Sequence, residues 1–128
     1  MMGAMDDRTL ARSVAFGRVL FGLLMLFVPR QVLLRSLSGA EAPSALVWLA
    51  RSFGIRDVVL GAGALVELSD PEPDARWVTA GAIADTADAV AAVAWHRELG
   101  PAGTAATLSL AVPAAAAGWK ASTGLRPA

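Results

Sequence analysis

The chain has 128 residues, with no cysteine, no tyrosine, a single histidine and only 17% charged residues. Without cysteine there is no disulfide and no thiolate metal site, and one histidine cannot make a metal centre alone. No cofactor is therefore expected. Basic and acidic residues are equal at 11 each, which removes the basic face that phosphate binding needs. Nucleic acid is not an expected partner. Soluble domains carry about 25% charged residues, whereas 55% of this chain is hydrophobic, mostly alanine, valine and leucine. Too few polar residues remain to cover a water-facing bundle. The lipid bilayer is the expected surrounding, and the cell membrane the expected location.

Four apolar stretches approach the ~20 residues that cross a bilayer core, at about 9–28, 44–68, 75–95 and 102–119. They predict an all-α fold, a bundle of four transmembrane helices forming one integral membrane domain over 1–128. After the first helix, "RQVLLRSLSG" reads as a short amphipathic helix lying in the interface. Pro43 and Ser44 suit a second-helix start, as first-turn proline and possible cap. "SDPEPDAR" reads as a loop, "HRELGP" as a tight connection and "KASTGLRPA" as a frayed tail. Pro113 lacks a backbone donor, which frees the Ser109 carbonyl and predicts a bend in the fourth helix.

Arg12 ahead of "VLFGLLMLFV" imitates a secretory signal. However, no small-x-small site follows, and Asp6 and Asp7 occupy the would-be basic region, so the first helix is read as retained. Trp48, Trp77, Trp95 and Trp119 all fall near the expected helix ends, where indoles favour the headgroup level. Arg8, Arg12, Arg76, Lys120 and Arg126 on the terminal side slightly outnumber Arg30, Arg35, Arg51 and Arg97, which favours cytoplasmic termini.

Within "RSFGIRDVVLGAGAL", residues 51–65, Arg56 and Asp57 stand at the centre of an otherwise apolar helix. Arg18 centres the first helix, and Asp85 with Asp88 centres the third. Three helices thus bring ionisable groups to one depth. Each costs roughly 2.5–3.5 kcal/mol at a helix centre, so the five unpaired would oppose insertion by more than ~12 kcal/mol. Pairing across helices is the economical answer. Helical spacing places Asp57 on a stripe with Ala50, Gly54, Gly61 and Ala64. Asp85 and Asp88 share a stripe with Gly81 and Ala92, and Arg18 shares one with Ala11, Gly22 and Met25. Small faces let helices approach closely in lipid, and the three faces are expected to converge with arginine forks on carboxylates. One acid is in surplus, to be protonated or met by Arg51 reaching down.

Such a network reads in two ways. A balanced set of charges can simply lock helix register, giving a non-catalytic accessory or structural membrane component. Alternatively, Asp85 or Asp88 serves as general acid, with Arg18 or Arg56 tuning it, in an intramembrane enzyme on an apolar lipid or isoprenoid. A third reading is a small proton-coupled carrier, which at this length calls for a homo-oligomer. An apolar small molecule is then a candidate ligand. His96, beside Arg97 and Glu98, reads as an interfacial polar residue. Thr86, Thr104 and Thr107 are expected to bond back to their own helices. "ARSVAFGRVLFG" at 11–22 and "ARSFGIRDVVLG" at 50–61 echo each other, with a gap if their second arginines are aligned.

The run "RSFGIRDVVLGAGAL" followed by "GAIADTADAV" resembles a family of small four-helix integral membrane proteins of unknown function from actinobacteria, distantly DoxX-like in shape. The distinctive residues are Arg51, Phe53, Gly54, Arg56 and Asp57, and the likeness extends from about Arg18 to Trp119. It implies a membrane fold and carries no activity with it.

Overall fold

The computed structural model describes residues 6–36 and 44–126. Among these residues five helices follow in order: α1 (Asp7–Phe27), α2 (Pro29–Ser36), α3 (Ser44–Glu67), α4 (Arg76–Ala94) and α5 (His96–Leu125). Among the described residues there is no strand. Pro43 lies outside the described residues, and so does part of the segment read as interfacial.

Local chemistry sets the breaks. Pro29 disfavours helical angles at the residue before it, and Val28 leaves α1 at φ −129°, ψ 50°. Pro29 itself opens α2, where its missing N–H costs nothing. Between α3 and α4 the prolines 71 and 73 hold a loop that ends at Ala75, whose backbone is left-handed at φ 61°. Ala75 is also fully buried, packed with Leu68, Val78 and Ala121 in the core.

The fourth expected span differs most from the sequence reading. It runs on as helix to Leu125, so most of the segment read as a frayed tail is ordered helix. The backbone interruption in α5 falls at Gly100, with φ 74° and ψ 170°, and Pro113 keeps helical angles. A positive φ suits glycine there, and the chain turns between α4 and the long part of α5 at this point. Because α5 continues, Trp119 lies well inside the helix and not at its end. Its Nε1 donates to Thr86 Oγ1 at 2.9 Å, near the middle of α4.

Packing joins the helices as antiparallel pairs. Along α1 and α3, Arg8 meets Leu68, Ala15 meets Gly61, Gly22 meets Gly54 and Leu26 meets Arg51. Along α4 and α5, Thr79 and Ser122 share a hydroxyl hydrogen bond at 2.6 Å, and Ala82 packs on Gly118. Lys120 Nζ lies 3.7 Å from Asp7 Oδ1, so the start of α1 and the end of α5 sit together.

The interior is built from small residues: Ala11, Ala15, Ala50, Ala64, Ala82, Ala92, Ala111 and Ala121 are buried. Bulky side chains point outward instead, among them Phe16, Leu24, Phe27, Ile83, Val90 and Val112. Lipid solvates such an exterior; water would not. Helices α1, α4 and α5 are long and apolar enough to cross a membrane. Helix α3 has 24 residues, about 36 Å at 1.5 Å per residue, and carries Arg51, Arg56 and Asp57.

Candidate functional site: a chain of charges across three helices

Close helix contact prepares the site. On α3 the stripe read from the sequence is the buried one: Ala50, Gly54, Asp57, Gly61 and Ala64. On α4, Gly81, Asp85 and Ala92 are buried, together with Val78 and Ala82. On α1 the buried positions are Ala11, Ala15 and Gly22. Ala15 was not on the expected stripe, and Met25 is only partly covered.

Arg18 is the hub. Its Nη1 donates to Asp57 Oδ1 at 3.1 Å. Its Nη2 donates to Asp85 Oδ2 and, at 3.3 Å, to the carbonyl of Gly81. A side chain at residue 81 would crowd this guanidinium, since a Cβ there would lie 3.1 Å from Nη2. Arg56 forks onto Asp88, with Nη1 to Oδ1 at 3.0 Å and Nη2 to Oδ2 at 2.6 Å. The same Nη2 is 3.5 Å from Asp57 Oδ1. The five groups therefore form one chain of alternating sign, Asp85–Arg18–Asp57–Arg56–Asp88.

Charge-assisted and bidentate bonds of this kind are about twice as strong as neutral ones. The Arg56 guanidinium also lies over the Phe53 ring, with Cζ 4.6 Å from the centroid, in cation–π contact. Among the described residues, its buried Nε has no hydrogen-bond partner. The surplus acid is absorbed within the chain, because Asp57 accepts from one arginine and lies beside the other. Arg51 does not reach it. That side chain is exposed and donates from Nε to the Leu26 carbonyl at 3.3 Å, at the end of α1.

A cavity of about 20 Å³ adjoins Arg18, between Ala15, Leu60, Val78, Gly81 and Gly118. It has room for about one water. Among the described residues, no group of three histidine, aspartate or glutamate side chains is placed to hold a metal. His96 is exposed, with Nδ1 2.8 Å from the Val93 carbonyl. Thr86 and Thr107 bond back to Ala82 and Gly103, as expected. Thr104 instead reaches the carbonyl of His96 across the Gly100 turn.

Polar contacts at the helix ends were not foreseen. Arg8 and Arg12 both donate to the Leu68 carbonyl just past the end of α3, and Arg8 continues to Asp70 and Pro71. Arg51 does the same service for α1. The Glu67 carboxylate accepts the first N–H groups of α4, from Arg76, Trp77 and Val78. The exposed Asp74 carboxyl, beside Glu67 and accepting from the Arg76 backbone N–H at 3.4 Å, is held below its ordinary range. Unsatisfied groups at helix termini, set beside charged residues on an antiparallel neighbour, were the available signal.

No family model, curated protein or solved structure matches the chain, so its geometry carries the functional argument.

Proposed function

We propose that this is a multi-pass protein of the cell membrane in which all four long helices cross the bilayer, in the manner of the small four-helix proteins it resembles. In this reading the charge chain is a structural lock, and the protein is a non-catalytic accessory or structural membrane component. Helix α3 belongs among the spans because it runs beside α1 from Arg8–Leu68 to Leu26–Arg51. Whatever depth α1 covers, α3 covers too. Its central charges are tolerable because each has a partner from a neighbouring helix or on α3 itself. The positive-inside count, five basic residues against four, slightly favours cytoplasmic termini.

The observation carrying the structural reading is that the five ionised groups are spent on one another. Arg18, Asp57 and Asp85 each have 11% or less of the side chain exposed. A substrate at that depth would have to displace an ion pair before meeting a reactive group. A second reading, an intramembrane acid–base enzyme on a lipid or isoprenoid or a small proton-coupled carrier, draws on Asp88. That carboxylate is 23% exposed, at the open end of the chain.

Asp88→Asn in the cell of origin separates the two. The structural reading expects any phenotype to track the amount of folded protein in the membrane. Abolished function with folding and oligomeric state both intact, or loss of a lipid product or of proton-coupled uptake in liposomes, would overturn it.

A further inference from the structure

The charge chain is sealed at one end and open at the other. Side-chain exposure is 8% at both Arg18 and Asp85, rises to 34% at Arg56, and is 23% at Asp88. Phe53, beneath the Arg56 guanidinium, is 41% exposed. If α3 and α4 span the bilayer, these polar atoms face hydrocarbon at mid-depth. Acyl chains offer no hydrogen bonds, and ionised groups there are expensive. The pair bonds within itself, and a polar cover would remove the cost of the part still exposed.

The edge is self-complementary. It presents a cation and an anion side by side, and their mutual bonds of 2.6 and 3.0 Å fix them at the same depth. Two copies inserted with one topology are related by an axis along the membrane normal, which preserves depth. Turning the edge about such an axis sets Arg56 of each copy against Asp88 of the other, as an isologous contact requires. Beside Asp88, α4 offers Ala84, Ala87 and Ala91, one helical face of small residues, with Ala87 and Ala91 exposed. Alanines permit close helix approach in lipid.

We propose that the α3–α4 edge carrying Phe53, Arg56, Asp88, Ala87 and Ala91 is a homodimer interface, closed at its centre by a ring of four alternating charges from two copies of this chain. The proposal rests on the four-span reading of α3. It goes beyond that reading by naming the surface and its occupant.

The natural absence of cysteine makes the test direct. Ala87→Cys and Ala91→Cys, each made singly and oxidised in membranes, should yield disulfide-linked dimer several-fold more than Val112→Cys on the exposed face of α5. The unmodified protein in lipid nanodiscs should have the mass of two copies. Asp88→Asn should lower the dimer fraction, and Arg56→Asp combined with Asp88→Arg should restore it. Equal cross-linking at all three cysteines with single-copy particles would overturn the proposal. So would a single copy that retains a lipid by native mass spectrometry and loses it in Asp88→Asn, since a lipid would then be the cover. Val59→Cys isolates the underlying reading. Labelling by a membrane-impermeant maleimide would sink the spanning of α3 and the dimer together, whereas protection of Val59→Cys without cross-links at Ala87→Cys and Ala91→Cys sinks the dimer alone.

Discussion

Gly22 and Gly54 face each other so closely that a Cβ on either would lie 2.6 Å from the other's carbonyl oxygen. The contact is reciprocal, and it repeats along the pair: a Cβ at Gly61 would meet the Ala15 carbonyl at the same 2.6 Å. Shifting α1 by 39 positions, the separation of Arg18 and Asp57, carries Ala15 onto Gly54 and Gly22 onto Gly61. The two contacts are thus equivalent about a local two-fold axis, and the Arg18–Asp57 ion pair sits at its centre.

This geometry predicts which glycines tolerate a methyl group. Gly54→Ala and Gly61→Ala each push a Cβ into backbone, which cannot swing aside as a flexible side chain could. Each should lose about 1–3 kcal/mol, the usual cost of overpacking. Gly22→Ala with Gly54→Ala should fall short of the summed single losses, because one separation of α1 from α3 relieves both. Thermal unfolding in detergent reads these differences, and unaltered stability in Gly54→Ala would refute the close approach.

Arg18 should be the most costly charge to remove. Arg18→Gln leaves Asp85 and Asp57 buried with their main cation gone, and breaking a buried pair costs roughly 3–5 kcal/mol. Arg56→Gln should cost less, because a third of that side chain is already exposed. Neutralising the acids as well, with Asp57→Asn and Asp85→Asn beside Arg18→Gln, should recover much of the loss. Unfolding titrations in mixed detergent micelles test this order, and a reversed ranking of the two arginines would contradict the burial gradient.

How much of this was legible beforehand differs between side chains and helix ends. The stripe through Ala50, Gly54, Asp57, Gly61 and Ala64 could be read because a 3.6-residue period places those residues on one face whatever they pack against. The convergence of Arg18, Arg56, Asp57, Asp85 and Asp88 followed from depth, charge balance and the small-residue faces. The partner of Arg51 did not follow, since it depends on where α1 ends and on an orphan carbonyl that no sequence pattern marks. In the echo between the first two long helices, matching Arg18 to Arg56 forces a gap, whereas the 39-residue offset that sets Arg18 against Asp57 in the packing needs none. The position of Trp119 was misjudged because an alanine-rich helix gives little hydropathy contrast at its end, and α5 runs on past it.

Glu67 should prove a joint between α3 and α4. Its carboxylate accepts from the backbone N–H of Arg76 at 2.7 Å and of Trp77 at 3.1 Å, next to the positive end of the α4 dipole. Loss of a capping acceptor costs about 0.5–2 kcal/mol, which is the expected effect of Glu67→Ala, while Glu67→Gln keeps one acceptor oxygen and should lose less. Amide exchange at Arg76, Trp77 and Val78 should quicken in Glu67→Ala and stay unchanged in the middle of α4. Uniform quickening along α4 would show that the residue acts through general packing instead.

Two further glycines separate backbone strain from crowding, because among the described residues no atom beyond the adjoining backbone lies within 4 Å of a would-be Cβ at either. Gly17 lies inside α1 with helical angles, and Gly17→Ala should gain up to ~1 kcal/mol from the better helix former. Gly100 holds φ 74° and ψ 170° at the turn into α5, a region that is open to glycine almost alone. Gly100→Ala should therefore lose about 1–3 kcal/mol despite the empty space around it. If Gly100→Ala leaves the melting temperature unchanged or raises it, the turn at residue 100 does not need its positive φ, and α4 and α5 are joined by a backbone other than the one described.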